Sequence, residues 1–396
     1  MSLPLLALFL AAFAFGTAEF VIAGVLPDVA LGLGISIPLA GYLVTGYAIG
    51  IALGGPLLTM LTSRFNRKAL VIALGVGFVV GQALCAIAPT FEILLLTRIL
   101  VSTLHGAYFG VAFILATSIV PPERRGFAMA LVLSGLTVSN VLGVPGGTAV
   151  GAIFGWRATF WAVGVFGLVA TLIIAFFLPA DAGASAAKGD IRREVRALAR
   201  NQVASGFVIS ILVMIGQYSL FTYIAPLLLE VTGIDPAFVP VILLVYGVGS
   251  TIGVFIGGRL ADWRLMPSLI TILSLQSLLF VALYLASPYP LLMAVVVIFW
   301  GGANFAFGSP LQTRMLIWAA DAPNLTSALI PAGFNVGIAI GAILGSTLLG
   351  AGMGYQYLPF IGAVCLALAA VTAIISNVLE KRSSAVPPAP MALAAE

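Results

Sequence analysis

Residues 5–26 read LLALFLAAFAFGTAEFVIAGVL, and Glu19 is the one ionisable side chain among them. The run is long enough and apolar enough to cross a bilayer as a helix. A charged carboxylate there costs several kcal/mol, so such a group normally faces a cavity or a partner. Glu19 lies roughly 12 Å from the segment's outer end at 1.5 Å rise per residue. That is too deep for a short side chain to reach the interface. Glu19, within Gly16-Thr17-Ala18-Glu19-Phe20, is therefore read as a protonation switch; the alternative is a carboxylate that snorkels from a helix end.

The rest of the chain agrees with a membrane reading. Of 396 residues, 62% are hydrophobic and 8% charged, and the mean hydropathy is +1.20. A soluble domain carries about 25% charged residues. The 44 glycines suit close helix contact in lipid. The two cysteines give no metal spacing or disulfide framework. There is no nucleotide loop and no nucleophile–base pair, so an enzyme is not expected. No cofactor, metal or nucleic-acid partner is expected either. Without an ATP motif, energy must come from an ion gradient.

Twelve apolar spans are expected, near 4–26, 38–61, 69–88, 91–119, 127–154, 158–179, 203–228, 238–260, 267–286, 290–317, 326–350 and 356–379. Pro27-Asp28 and Ala88-Pro89-Thr90 are read as joints. All but Arg98 and Arg157 of the 17 Lys and Arg residues fall on one side of these spans. Basic loops face the cytoplasm, so both termini are expected there. A linker over 180–202 divides a bundle over 1–179 from one over 203–380. Ile191 to Arg200 reads as a short basic amphipathic helix, and 381–396 as a disordered tail. The halves repeat weakly. Pro27, Tyr47, Gly50 and Gly54 align with Pro226, Tyr246, Gly249 and Gly253, and Asn140-Val141 with Asn335-Val336. Two six-helix bundles around a midplane site is a common transporter architecture.

Arg98 sits roughly 10 Å deep in span 4, at a depth similar to Glu19. An intramembrane Arg needs an anionic or carbonyl partner, and Glu19 is the natural candidate. The alternative is that Arg98 reaches the outer interface or Glu92. His105 lies two turns along the same face and suits a proton relay, a substrate hydrogen bond or simple packing. The sparse polar groups Tyr47, Asn140, Gln217, Tyr218, Tyr223, Tyr246, Asn304 and Asn335, with Phe13, Phe20, Phe305 and Phe334, suggest a largely apolar pocket. Such a pocket fits a neutral, moderately lipophilic molecule.

These features resemble the major facilitator superfamily, in particular its twelve-span drug:proton antiporter branch. The loop after span 2 carries Arg64, Arg67 and Lys68, but Thr59 and Ser63 stand where the family has Gly and Asp. The second half keeps a fuller copy in Gly258, Arg259 and Asp262. The resemblance implies a cytoplasmic latch there, with the Asp capping a helix N-terminus. Plain positive-inside anchoring explains the same basic residues. In span 5, Gly135, Gly143, Pro145, Gly146 and Gly147 resemble the antiporter motif, with Val144 inserted; there Pro145 is expected to bend the helix. With Gly155-Trp156-Arg157-Ala158-Thr159-Phe160-Trp161, the set looks like chloramphenicol-resistance exporters and arabinose-type sugar efflux permeases. The resemblance implies an all-α, proton-coupled exporter of a small neutral or lipophilic compound. It also implies a monomer in the bacterial inner membrane, in contact with lipid, substrate and proton. The rivals are a proton-coupled importer of a sugar or nucleoside, and a non-transporting receptor.

Overall fold

In a computed structural model, the described residues are 2–62, 64–121, 124–180, 182–183, 196–321 and 323–383. Ser63, most of the linker including Lys188, Arg192 and Arg193, and the tail from Ser384 lie outside them. Among the described residues, 12 helices are long and apolar enough to cross a membrane. They are α1 (Leu3–Phe20), α2 (Ile37–Leu61), α3 (Arg67–Ile87), α4 (Phe91–Ser118), α5 (Arg125–Phe154), α6 (Trp156–Phe177), α7 (Asn201–Phe221), α8 (Pro236–Trp263), α9 (Leu265–Ala286), α10 (Pro290–Trp318), α11 (Leu329–Gly350) and α12 (Tyr355–Arg382).

Local chemistry sets the helix ends. Asn66 caps α3 by accepting from Ala69 N at 3.0 Å, satisfying one of the orphan amides of the first turn. Ser36 caps α2 in the same way through Leu39 N at 3.3 Å. Pro27-Asp28, expected as a joint, instead lies inside a helix, Ile22–Leu33, that extends α1 beyond a one-residue break at Val21. The chain turns only at Gly34, whose φ of 64° suits a residue without Cβ.

The halves share one arrangement. α1 packs on α5 and α6, α2 on α4, and α3 on α4 and α6. In the second half α7 packs on α11 and α12, α8 on α10, and α9 on α10 and α12. Glycine makes the closest of these contacts. Gly249, Gly253 and Gly257 form one stripe of α8 against the α10 backbone, where any Cβ would overlap a carbonyl oxygen. Lipid gives no hydrophobic drive between helices, so such backbone approach supplies much of the contact.

The bundles meet most extensively at one end, although the Gly50–Gly54 part of α2 also touches α11 and the Arg125–Val138 and Ser139–Gly143 parts of α5 also touch α8. At that end the Ile37–Ile49 part of α2 touches α11, the Val144–Phe154 part of α5 touches α8, and the extension of α1 touches Ile224–Pro226. Ser346 Oγ donates across the seam to Pro38 O at 2.7 Å. Tyr223, fully buried, lies over Gly41 of α2 and donates to Ala342 O at 3.1 Å. At the opposite end, which carries the basic loops, the Gly55–Leu61 part of α2 packs chiefly on α4.

Candidate functional site

The site grows from the middle of the first bundle. Glu19 lies at the end of α1, just before the Val21 break, with its side chain 12% exposed. α5 runs beside it through a glycine face. Gly135 lies against Phe9 O and Ala12, Gly143 against Thr17, and Gly147 against Val21. Gly146 is exposed and takes no part. α5 carries a π-turn over Ser139–Gly143. Pro145 follows at the start of the next helical stretch. Widening the turn ahead of the proline relieves the clash its ring would make with the carbonyl four residues back. α2 repeats the device, with a π-turn over Gly50–Gly54 before Pro56.

Around Glu19 the structure gathers Tyr47 of α2 with Arg98 and His105 of α4. Arg98 is 1% exposed. Its Nε donates to Leu43 O at 3.2 Å and its Nη1 to Ala18 O at 3.1 Å. The guanidinium carbon lies 4.6 Å from the centre of the Tyr47 ring, a cation–π contact. Arg98 thus takes backbone carbonyls rather than a direct ion pair with Glu19, and it reaches neither Glu92 nor the interface. Leu43 O has a second lone pair beyond its helix bond, and Ala18 O lies in the last turn of α1, where carbonyls have no helix partner, so both can accept from the guanidinium. Arg98 Nη2 is buried without a partner. His105 Nδ1 lies 3.8 Å from Glu19 Oε2 and 3.1 Å from Tyr47 Oη. Phe15 and Phe109 close over the imidazole.

In the second bundle Tyr246, Asn304 and Asn335, expected in the pocket, are buried, and Tyr246 packs against Phe221 and Trp300 with ring centres 5.0 Å apart. Asn304 Nδ2 donates to Tyr246 Oη at 2.6 Å, and its Oδ1 is buried with no partner. Asn335 Nδ2 donates to Pro331 O of its own helix at 3.0 Å, and its Oδ1 is likewise unpartnered. Asn140 repeats this bond in α5, donating to Leu136 O at 3.1 Å. Phe334 meets Phe307 with ring centres 6.1 Å apart, and Phe305 is half-buried beside the same core. Tyr218 of α7 and Phe20 are both half-buried.

Three expected pocket residues sit elsewhere. Phe13 packs edge-on against Phe166 of α6 inside the first bundle. Gln217 is fully buried inside the second, bonded to Gln276 at 3.0 Å and to Trp300 Nε1 at 2.6 Å. Tyr223 belongs to the seam between bundles. An isolated amide in an apolar span usually pairs inside its own bundle, and Gln276 was the signal for that partner.

The basic loops also differ from the expected latch. Lys68 Nζ donates to Leu178 O, and Asn66 Nδ2 to Ala180 O, so this loop is tied to the end of α6 in its own bundle. Arg259 and Asp262 are exposed. Asp262 lies in the last turn of α8, so it caps no helix N-terminus. The strong polar knot at this end involves residues outside that motif. Arg314 of α10, 1% exposed, donates to Ser376 at 2.6 Å, Glu380 at 3.1 Å, Ser205 at 3.1 Å and Gln202 O at 3.2 Å. Arg200 forks onto Asp321 at 2.6 and 2.8 Å. In the sequence Arg314 merely closes the apolar span 290–317, and nothing there marks its burial.

The Major Facilitator Superfamily profile matches residues 8–323. The chain belongs to the Major Facilitator Superfamily. It is 38% identical over 373 residues to the inner membrane transport protein YdhP of Escherichia coli, covering 94% of this chain and 95% of that one. It is 35% identical over 352 residues to a chloramphenicol resistance protein of Streptomyces lividans, covering 88% and 90%. To the putative transporter AraJ of Escherichia coli it is 30% identical, covering 97% of each. In fold it matches a bacterial homologue of the human lysosomal transporter Spinster, inward-facing and occupied, with TM-score 0.79, 20% identity and coverage of 97% and 98%. The D-xylose–proton symporter gives TM-score 0.73 at 16% identity, covering 93% and 96%. The protein is a membrane transporter of this superfamily and not an enzyme.

Proposed function

We propose that this transporter is a proton-coupled antiporter that exports a small neutral or lipophilic compound by alternating access. The observation that carries the reading is the buried group of Glu19, Tyr47, Arg98 and His105 at the inner wall of the first bundle. A carboxylate in that setting is stabilised neutral by poor solvation and charged by a nearby guanidinium, so its protonation follows access to water. Tyr218, Tyr246, Asn304, Asn335 and Phe334 supply the facing surface for substrate, with Asn140, Phe20 and Phe305 at its edges. Their few polar atoms and lack of surplus charge favour an uncharged molecule with some hydrogen-bonding groups. The chloramphenicol resistance relative supports export of such a compound.

In this reading the basic end faces the cytoplasm, both termini with it, and a single chain does the work. The bundles part at that end and are sealed at the other, as in an inward-open state. The test is transport by everted membrane vesicles against a panel of chloramphenicol-like drugs and sugars. Proton-driven accumulation of at least one compound inside everted vesicles is expected. Accumulation only in right-side-out vesicles would make the protein an importer. No flux in either direction, with the protein inserted, would refute transport of this class.

A further inference from the structure

The sequence places Tyr47 among the expected pocket residues, yet its hydroxyl is directed at the imidazole. Tyr47 is 1% exposed, and a buried phenolic hydrogen needs an acceptor. Among the described residues the partner of its Oη is Nδ1 of His105, at 3.1 Å. The opposite polarity, with His105 donating, would leave the phenol hydrogen with no acceptor. Satisfying the phenol hydrogen therefore requires Tyr47 to donate and Nδ1 to accept, which places the imidazole hydrogen on Nε2. The ring of Tyr47 is itself fixed, because the Arg98 guanidinium lies over its face and is anchored to Leu43 O and Ala18 O.

Glu19 Oε2 approaches the same Nδ1, but at 3.8 Å it is beyond hydrogen-bond reach. One lone pair thus has two suitors, and the phenol holds it. We propose that Tyr47 is a positioning residue that keeps His105 as the Nε2–H tautomer and stops it from capturing the proton of Glu19. The proton then stays on the carboxyl and exchanges with water rather than being held in a Glu19–His105 pair. This assignment rests on the coupling role given to Glu19 above. The other ionisable groups around this spot are accounted for. Tyr108 of α4 donates to Leu8 O at 2.6 Å, Arg98 is bound as described, and Cys85 of α3 is a buried free thiol.

The chain has a single histidine, so its imidazole can be read without assignment. The experiment is nitrogen-15 NMR of histidine-labelled protein in lipid at neutral pH, purified by a tag without histidine. Two-bond proton couplings distinguish the tautomers. Wild type is expected to show an acceptor-type Nδ1 and a protonated Nε2. Tyr47→Phe is expected to turn Nδ1 into a protonated nitrogen, paired with Glu19. Glu19→Gln should leave the acceptor-type Nδ1 unchanged, because the phenol holds it. A wild-type Nδ1–H tautomer overturns the proposal, as does a Tyr47→Phe spectrum identical to wild type. If Tyr47→Phe does not fold, loss of the acceptor-type signal in Glu19→Gln overturns it and its retention supports it. Proton flux is a separate readout. The expected tautomer with no substrate-linked proton movement would sink the coupling reading alone.

Discussion

Gly41→Ala is expected to open the seam between the bundles. A Cβ at this position would overlap Tyr223 Oη and lie 2.7 and 2.9 Å from its Cζ and Cε1. Carbon contacts relax only at about 3.5–4.0 Å, so the ring must move. Tyr223 has no free space, being fully buried, and any shift strains its bond to Ala342 O. Losing that bond costs about 1 kcal/mol, and overpacking adds at least about 1 kcal/mol. The penalty falls only on the state in which α2, Tyr223 and α11 meet. About 2 kcal/mol corresponds to a roughly 30-fold shift between facing states. The assay is a distance distribution between spin labels at Leu31 and Phe238, which are 85% and 60% exposed at the sealed end, in a background without Cys85 and Cys365. A new population at longer distance is expected. An unchanged distribution in a folded variant would refute the view that this contact holds the seam.

Three further outcomes follow from the same geometry. Arg314→Leu removes the centre of the knot between α7, α10 and α12 and should destabilise the second bundle by about 3–5 kcal/mol, the cost of leaving partners of a buried ion unpaired; an unchanged thermal midpoint would contradict this. Arg98→Lys should insert normally but lose most transport, because one ammonium cannot span Leu43 O and Ala18 O while covering the Tyr47 ring; wild-type transport would contradict it. A reporter fused after Lys381 should report a cytoplasmic location, since the basic loops share that side; activity only outside would reverse the topology.

The span count was legible because length and apolarity alone decide which helices cross a bilayer. Glu19, Arg98 and His105 were legible for a related reason: ionisable groups are so costly in lipid that each one found there asks for a partner. The identity of the partner was not legible. Arg98 turned to two carbonyls, which every residue carries and no sequence pattern marks. Gln217 and Tyr223 look alike in sequence to Asn304 and Tyr246, yet Gln217 pairs with Gln276, Tyr223 sits at the seam, and Asn304 and Tyr246 bond each other. Arg314 was missed because a basic residue near a span end is ordinarily anchoring. Its burial depends on Ser376 and Glu380, more than sixty residues away in the chain.

The most direct measurement is substrate-driven proton movement in proteoliposomes containing Glu19→Gln. The amide holds the site in a neutral form close to the protonated carboxyl, and removing a buried charge is not costly to the fold. Insertion and substrate binding are expected to survive while proton exchange falls to the level of empty liposomes. Glu19→Asp, with a carboxylate of shorter reach, should retain part of the rate. Proton exchange by Glu19→Gln at the wild-type rate would contradict the account, because coupling would then run through another group.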